Sequence, residues 1–265
     1  MNQSDELPVV FSTIACAQGM IAGVATLNAP KTLNGLTLEM TRLLASQLER
    51  WAEDERVALV ILKGAGDKAF CAGGDLHALH HSMTEHAGQA PIQNTYAGTF
   101  FAEEYALDYR IHTFPKPILV WGDGIVMGGG MGLMMGASHR VVTETSRLAM
   151  PEISIGLFPD VGGTWLVNRL PGKTGLFMGL TGAQVGAADA LFAGLADYHV
   201  ARQNWEGLCA AIASAHWAAC SAAQQARYHD QRNAALADNH AKLHQLLAGL
   251  STAPTPLIGP LQTHQ

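Results

Sequence analysis

The stretch "GDGIVMGGGMGLMMG", residues 122–136, sets seven glycines among methionine, valine, isoleucine and leucine. Glycine inside a helix or strand costs roughly 0.5–1 kcal/mol relative to alanine, so this density needs a reason. Three are available: a membrane helix pairing through small residues, a phosphate loop, or a site where bare backbone N–H groups meet an oxygen.

Gly124, Gly128, Gly132 and Gly136 do recur at the GxxxG spacing of paired membrane helices. However, Asp123 falls near the middle of the apolar segment that begins at Pro117, an acid inside a membrane is costly, and no second apolar span follows. A dinucleotide loop fits no better, because Gly122, Gly124 and Gly128 form GxGxxxG, one residue longer than the fingerprint. "GKT" at 172–174 resembles the end of a phosphate loop, but Val167 stands where that loop needs its first glycine.

Backbone donation remains. The apolar run "PILVW" (117–121) reads as a buried strand entering a glycine turn, and "MGLMMG" reads as the apolar helix after it. N–H groups at such a helix start approach an oxygen closely, and the helix dipole favours negative charge there. An acyl oxyanion needs two such donors fixed in advance. "CAGGDL" (71–76), which follows the buried-strand pattern "VALVILKG" (57–64), supplies a second glycine pair. Close helix-on-sheet packing also selects glycine, and these segments alone leave both readings open.

Further out, "LPVVFSTIACAQGMIAGVATLN" contains two β-rich runs about Gln18-Gly19, a hairpin ending at Asn28. Leu36, Met40, Leu43, Leu44, Leu48 and Trp51 follow helical spacing, and residues 92–113 read as a helix halted before Pro115. "HRVVTET" (139–145) and "RLAM" (147–150) suggest strands, the Ala-rich chain from Trp205 to Leu250 suggests helices, and "STAPTPLIGPLQTHQ" an irregular tail. Strands alternating with helices, then helices alone, predict an α/β fold with a C-terminal helical region.

Composition narrows the function classes. Apolar residues make up 48% and charged residues 14%, which excludes a disordered chain. With a net charge of −6 and no Lys/Arg cluster, a nucleic-acid partner is not expected. Cys16, Cys71, Cys209 and Cys220 show no zinc spacing and read as reduced thiols, and no secretory pattern opens the sequence, so the cytoplasm is the expected compartment. His77, His80, His81 and His86 have helical spacing, but they lack a supporting ligand set and sit in what reads as a polar, mobile loop; no metal is expected. Met127, Met131, Met134 and Met135 read as core or acyl-pocket lining.

Taken together, "KAFCAGGDL" (68–76), "GDGIVMGGGMGL" (122–133) and "LAMPEISIGLFPDVGG" (148–163) resemble the crotonase superfamily, the enoyl-CoA hydratase/isomerase family, and "LNAPKTLNGLTLEM" (27–40) is similar to its early segment. The resemblance covers about residues 8–200. It implies a spiral of ββα units over that core; the helical region at 201–250 and the irregular tail at 251–265 are read from the chain's own patterning. It also implies an acyl-CoA ligand with no separate cofactor, trimeric or hexameric assembly, oxyanion donors at Gly74 and Gly129, and CoA lying along Ala72, Gly73, Gly74, Asp75 and Leu76. His77, where related enzymes often carry a basic residue, would meet CoA phosphates weakly.

The branch turns on carboxylates. Family hydratases carry a glutamate two residues after the glycine triplet, where this chain has Gly132. Glu152 in "MPE", Asp160 in "FPDVGG" and "EEY" at 103–105 look like the 3-hydroxyisobutyryl-CoA hydrolase branch. By that resemblance Glu104 is a substrate-side carboxylate, Glu152 and Asp160 carry the chemistry, and the pathway is valine breakdown. Members of that branch usually continue well beyond residue 265. Each acid also has a bland reading: Glu152 closing a turn, Asp160 capping the helix "GGTWLVNRL", Glu104 on a solvated face, Asp75 closing a turn. The rival functions are a hydratase or isomerase using Glu152 alone, and a non-catalytic CoA-binding or assembly protein.

Overall fold

The computed structural model describes residues 7–219 and 234–254. The chain opens with the antiparallel hairpin β1 (Val9–Ala15) and β2 (Ile21–Leu27), Val9 lying opposite Leu27. Helix α1 (Leu38–Glu53) follows, capped by Thr37, whose Oγ1 accepts from the Met40 N–H at 3.1 Å. It buries Met40, Leu44, Leu48 and Trp51 on one stripe. Leu36 fits that spacing but lies outside the helix, in a bridge to Gly74.

From β3 (Val57–Gly64) onward the chain alternates between two sheets. Strands β3, β5 (Ile118–Gly122), β7 (His139–Val142) and β9 (Tyr198–His199) extend the hairpin into a six-stranded sheet of order β1-β2-β3-β5-β7-β9, parallel beyond β2. Strands β4 (Ala69–Cys71), β6 (Ile125–Met127) and β8 (Arg147–Ala149) form a parallel three-stranded sheet in that order. Each turn of this spiral returns through helix: α2 (Leu76–Glu85) and α3 (Thr95–His112), then α4 (Gly129–Gly136), then α5 (Gly163–Val167), α6 (Thr174–Thr181) and α7 (Ala187–Ala193).

The unbroken apolar run of β3 reflects burial on both faces. Val57, Val60 and Leu62 join the core with α1 and α3, whereas Ala58, Leu59 and Ile61 join a second core beneath α8 (Trp205–Ser214) and α9 (Ala234–Leu250). Leu208, Ile212, Leu243 and Leu247 cover that second face. The helical reading across 220–233, Cys220, and the tail beyond residue 254 lie outside the described residues; Cys16, Cys71 and Cys209 are free thiols.

Two local expectations are corrected. The histidine segment is not a loop but helix α2. Asp75 Oδ1 accepts from the N–H groups of His77 and Ala78 at 3.1 Å each, and Leu79 and Ser82 anchor the buried face. His77, His80 and His81 face solvent, and among the described residues no group of three His, Cys, Asp or Glu side chains is disposed to hold a metal. The strand expected over 139–145 ends at Val142, because Thr143 turns the chain: its N–H donates to Ser146 Oγ at 2.8 Å, its carbonyl accepts from the Ser146 N–H at 3.1 Å, and its hydroxyl donates to Asp123 at 2.7 Å. Asp123 also pairs with Arg202, so the acid that argued against a membrane helix sits in a polar cluster. Among the described residues no helix is long and apolar enough to cross a membrane.

Candidate active site

The three strands of the small sheet each end beside a sequence-predicted site residue. Gly74 comes three residues after β4, Gly129 opens α4 two residues after β6, and Glu152 comes three residues after β8. The ends of parallel strands, where loops and helix starts converge, are where α/β folds place ligands.

The Ala72–Leu76 segment is tied to the chain before α1. Ala72 N–H donates to Leu33 O at 3.1 Å, Leu36 N–H to Gly73 O at 2.7 Å, and Asp75 N–H to Leu36 O at 2.9 Å. This short ladder does not use the Gly74 N–H. The Gly129 N–H, in the first turn of α4, has no partner within its helix either. The two glycines adjoin: a Cβ on Gly129 would lie 3.5 Å from the Gly74 nitrogen. Gly128 before them has φ 51°, a left-handed backbone that glycine adopts without strain. A Cβ on Gly130 would strike the Cys71 carbonyl, so the triplet serves close packing as well as donation.

Carboxyl groups surround this pair. Glu104 lies on the buried face of α3 at 2% exposure, and a Cβ on Gly129 would strike its Oε1; the solvated-face reading is excluded. Its neighbour Glu103 is the solvated one, paired with Arg42. Glu152 begins a short 3-10 turn (Glu152–Ile155), 5% exposed, with neither carboxylate oxygen hydrogen-bonded. Its Oε1 lies 3.3 Å from where a Gly128 Cβ would be. Asp160 does not cap α5: the cap position is Gly162, and Asp160 Oδ2 accepts from the Tyr105 hydroxyl at 2.8 Å.

Burial without donors sets the electrostatics. It pushes Glu104 up to about 8, helped by Asp160 and Glu152, and Glu152 up to about 7, helped by Asp160. Burial also raises Asp160, against the pull of the Tyr105 hydrogen bond. Asp108, one turn beyond Glu104 on α3, is pushed well above the ordinary aspartate range by burial and then by Glu104 and Asp160. Neither of its carboxylate oxygens has a hydrogen-bond partner.

Gly132 acquires a structural meaning here. A Cβ at this position would lie 2.7 Å from Val161 Cβ and 2.8 Å from Asp108 Oδ2. Val161 itself has φ 44°, rare for a β-branched residue. The bare α-carbon of Gly132 admits both the Asp160–Val161 segment and the Asp108 carboxyl. The missing side chain at 132 and the presence of Asp160 are therefore one packing arrangement.

This arrangement has relatives. The family model for enoyl-CoA hydratase/isomerase matches residues 22–253.

The chain belongs to the enoyl-CoA hydratase/isomerase family.

Among curated members, it is 48% identical over 187 residues to a protein of Danio rerio named 3-hydroxyisobutyryl-CoA hydrolase, mitochondrial, covering 71% of this chain and 47% of that one. The Xenopus tropicalis protein of the same name is 50% identical over 179 residues, covering 68% and 45%. The chain thus spans about half the length of the curated relatives it matches. Among solved family structures, a carnitinyl-CoA dehydratase from Mycobacterium thermoresistibile aligns with TM-score 0.75 and 35% identity, over 98% of this chain and 63% of that one. An enoyl-CoA hydratase from Rhodobacter sphaeroides 2.4.1 aligns at 0.71 and 36%, over 91% and 74%.

Within the family frame, the structure brings Gly74, Gly129, Glu104, Glu152 and Asp160 together and sets the Ala72–Leu76 segment along one side. Sequence reasoning missed Tyr105, Asp108 and Val161. Asp108 left a trace, standing four residues after Glu104 on a predicted helix and hence on the same face. Met131 and Met134 are core; Met135 lines a cavity of about 250 Å³ with Asp108, Gly132, Val161 and Trp165.

Proposed function

We propose that this chain is an acyl-CoA thioester hydrolase acting on a short 3-hydroxyacyl-CoA such as 3-hydroxyisobutyryl-CoA, a step of valine breakdown. The observation that carries the reading is Gly132, whose bare α-carbon accommodates Val161, the residue after Asp160, with Asp160 close enough to Glu152 for its charge to raise that carboxyl. The names of the curated relatives support it. CoA lies along Ala72, Gly73, Gly74, Asp75 and Leu76, and the N–H groups of Gly74 and Gly129 hold the thioester oxygen as it becomes an oxyanion.

Glu152 then either attacks the carbonyl carbon or takes a proton from an attacking water. In both routes the carbon–sulfur bond breaks and CoA thiolate leaves with the electron pair; where Glu152 attacks, water then cleaves the resulting acyl–glutamyl anhydride, releasing the free acid and the Glu152 carboxylate. With its pKa at about 7, Glu152 is both ionised and basic near neutrality. Asp160, steadied by Tyr105, orients water or the substrate hydroxyl, and Glu104 accepts that hydroxyl from the other side. The test is thiol release from a panel of short acyl-CoA esters. Loss in Glu152→Gln and Asp160→Asn is expected, and undiminished release by both overturns the assignment.

The neighbouring solved structures, named as a dehydratase and a hydratase, favour a second reading as a hydratase or isomerase using Glu152. Loss of enoyl-CoA absorbance without free thiol would identify it, and tight acyl-CoA binding without any turnover would identify a binding or assembly protein. A reducing compartment, the cytoplasm, is our reading of location, supported by the free thiols of Cys16, Cys71 and Cys209; the curated relatives are named mitochondrial, and fractionation separates the two. Trimeric or hexameric assembly is our reading by family resemblance, testable by light scattering.

A further inference from the structure

Helices α3 and α4 meet through two acids laid against two glycines. The Glu104 carboxyl abuts Gly129 and the Asp108 carboxyl abuts Gly132, three residues further along α4. Gly136 continues the seam, a Cβ there lying 3.1 Å from Ile111 Cγ2 and 3.2 Å from the Asp108 carbonyl. Glu104 and Asp108, four residues apart on one helix, are within reach of each other, as side chains at that spacing are.

We infer that Asp108 is a positioning residue of the acyl site: as a neutral carboxylic acid it donates a hydrogen bond to Glu104, and so holds Glu104 as the charged acceptor for the substrate's 3-hydroxyl group. The inference rests on the proposed placement of Glu104 at that hydroxyl.

Three observations carry it. First, both Asp108 oxygens are sealed from solvent and accept from no donor, an arrangement that an ionised carboxylate tolerates poorly and a protonated acid with a nearby acceptor tolerates well. Second, the groups facing Asp108 leave few acceptors and no fixed cation. They are Glu104, Tyr105, Tyr109 and His112 on α3, Asp160 on the segment before α5, and Cys71 on β4, while α4 offers only Gly132, Met135 and Gly136. The two charges that act on Asp108 are both carboxylates, and Glu104, four residues back on the same helix, acts on it more strongly than Asp160. Third, the helix dipole decides which member of the pair carries charge. Glu104 sits at the first residue of α4, where negative charge is favoured, and Asp108 sits a turn inside it. Two carboxyls sharing one proton titrate as a pair, and the shared proton keeps Glu104 ionised where its burial alone would neutralise it.

The test uses two substitutions at one position. Asp108→Asn keeps a side-chain donor without a titrating proton; Asp108→Leu removes the donor. KM is measured across pH for a 3-hydroxyacyl-CoA and for the unhydroxylated acyl-CoA of the same length. Asp108→Leu should raise KM for the hydroxylated substrate about tenfold or more, as expected for losing a hydrogen bond to a charged group, and leave the unhydroxylated one unmoved. Asp108→Asn should recover most of that loss. Equal effects on the two substrates, or an Asn variant as impaired as the Leu variant, overturn the inference. Infrared spectra at pH 7 give an arm independent of turnover. The carbonyl band of a protonated acid should be present in the wild type and lost in Asp108→Asn, and a band unchanged by the substitution overturns the inference. Should the wild type release no thiol from any 3-hydroxyacyl-CoA, the proposed function fails, and the infrared band still decides the state of Asp108.

Discussion

Two groups of acids lie in this molecule under opposite conditions. At the ends of strands of the large sheet, Asp123 accepts from Thr143 Oγ1, Thr145 Oγ1 and Arg202 Nε, each at 2.7 Å, and Asp197 is clasped by the backbone and guanidinium of Arg140. Around Gly129, Glu152 and Asp108 have no hydrogen-bond donor, and Asp160 has the Tyr105 hydroxyl. The first arrangement satisfies charge; the second withholds what would satisfy it. A buried carboxylate without donors destabilises the fold, and the same starvation leaves it basic and ready to take a proton.

That contrast is easiest to break at Glu152. Glu152→Gln should lower thiol release by about 10²–10⁴-fold, the range for losing a general base, with acyl-CoA affinity retained in a binding titration. Asp123→Asn should leave kcat unchanged and lower the thermal midpoint, because hydrogen bonds to a charged acceptor each contribute about 1.5–3 kcal/mol. Equal loss of turnover in both variants would erase the distinction between the two groups.

Gly132→Ala comes next in size. Its Cβ would meet Val161 Cβ and the Asp108 carboxyl, so an overpacking cost of about 1–3 kcal/mol is expected in denaturant melts. Turnover should fall with it as Asp160 is displaced, whereas Gly207→Ala, inside α8 with open space around its α-carbon, should leave turnover unchanged and raise stability by roughly 0.5–1 kcal/mol.

The pH dependence of stability sharpens the comparison further. Glu152, raised by burial from 4.5 to about 7 in the folded protein, holds its proton more tightly folded than unfolded. Its contribution is therefore fully present below about pH 4.5 and is lost as pH rises through about 7. Glu152→Gln should raise the thermal midpoint at pH 8 and leave it nearly unchanged at pH 4. Tyr105→Phe should give the smallest effect, a fewfold loss of rate with Asp160 shifted further upward, since the hydrogen bond that lowers it is gone.

The fold was readable because its signals are local. The hairpin about Gln18-Gly19, the doubly buried run of β3 and the glycine turn into α4 each follow from neighbouring residues. Gly74, Gly129, Glu152 and Asp160 came from motif resemblance, and their proximity is what the spiral adds. Other features were hidden because they arise between distant segments. The Tyr105–Asp160 hydrogen bond joins residues 55 apart, and the close approach of Val161 to Gly132 depends on a left-handed backbone at a β-branched residue. Helix α2 was misread because its histidines gave a polar surface, while the cap from Asp75 and the anchors Leu79 and Ser82 are few.

The three-stranded sheet has a consequence for how such a site diversifies. Its strands deliver Gly74, Gly129 and Glu152 from neighbouring rows, and rows in a sheet stand about 4.8 Å apart. Two rows end in backbone amides, and the service we propose for them, to an acyl oxygen, is indifferent to the side chains around them. The third ends in a side chain that can be exchanged without moving the other two. Such a sheet works as a gauge block: it keeps the spacing constant while one face is recut, so new acyl chemistry requires new residues after β8 and on α3, and no new scaffold.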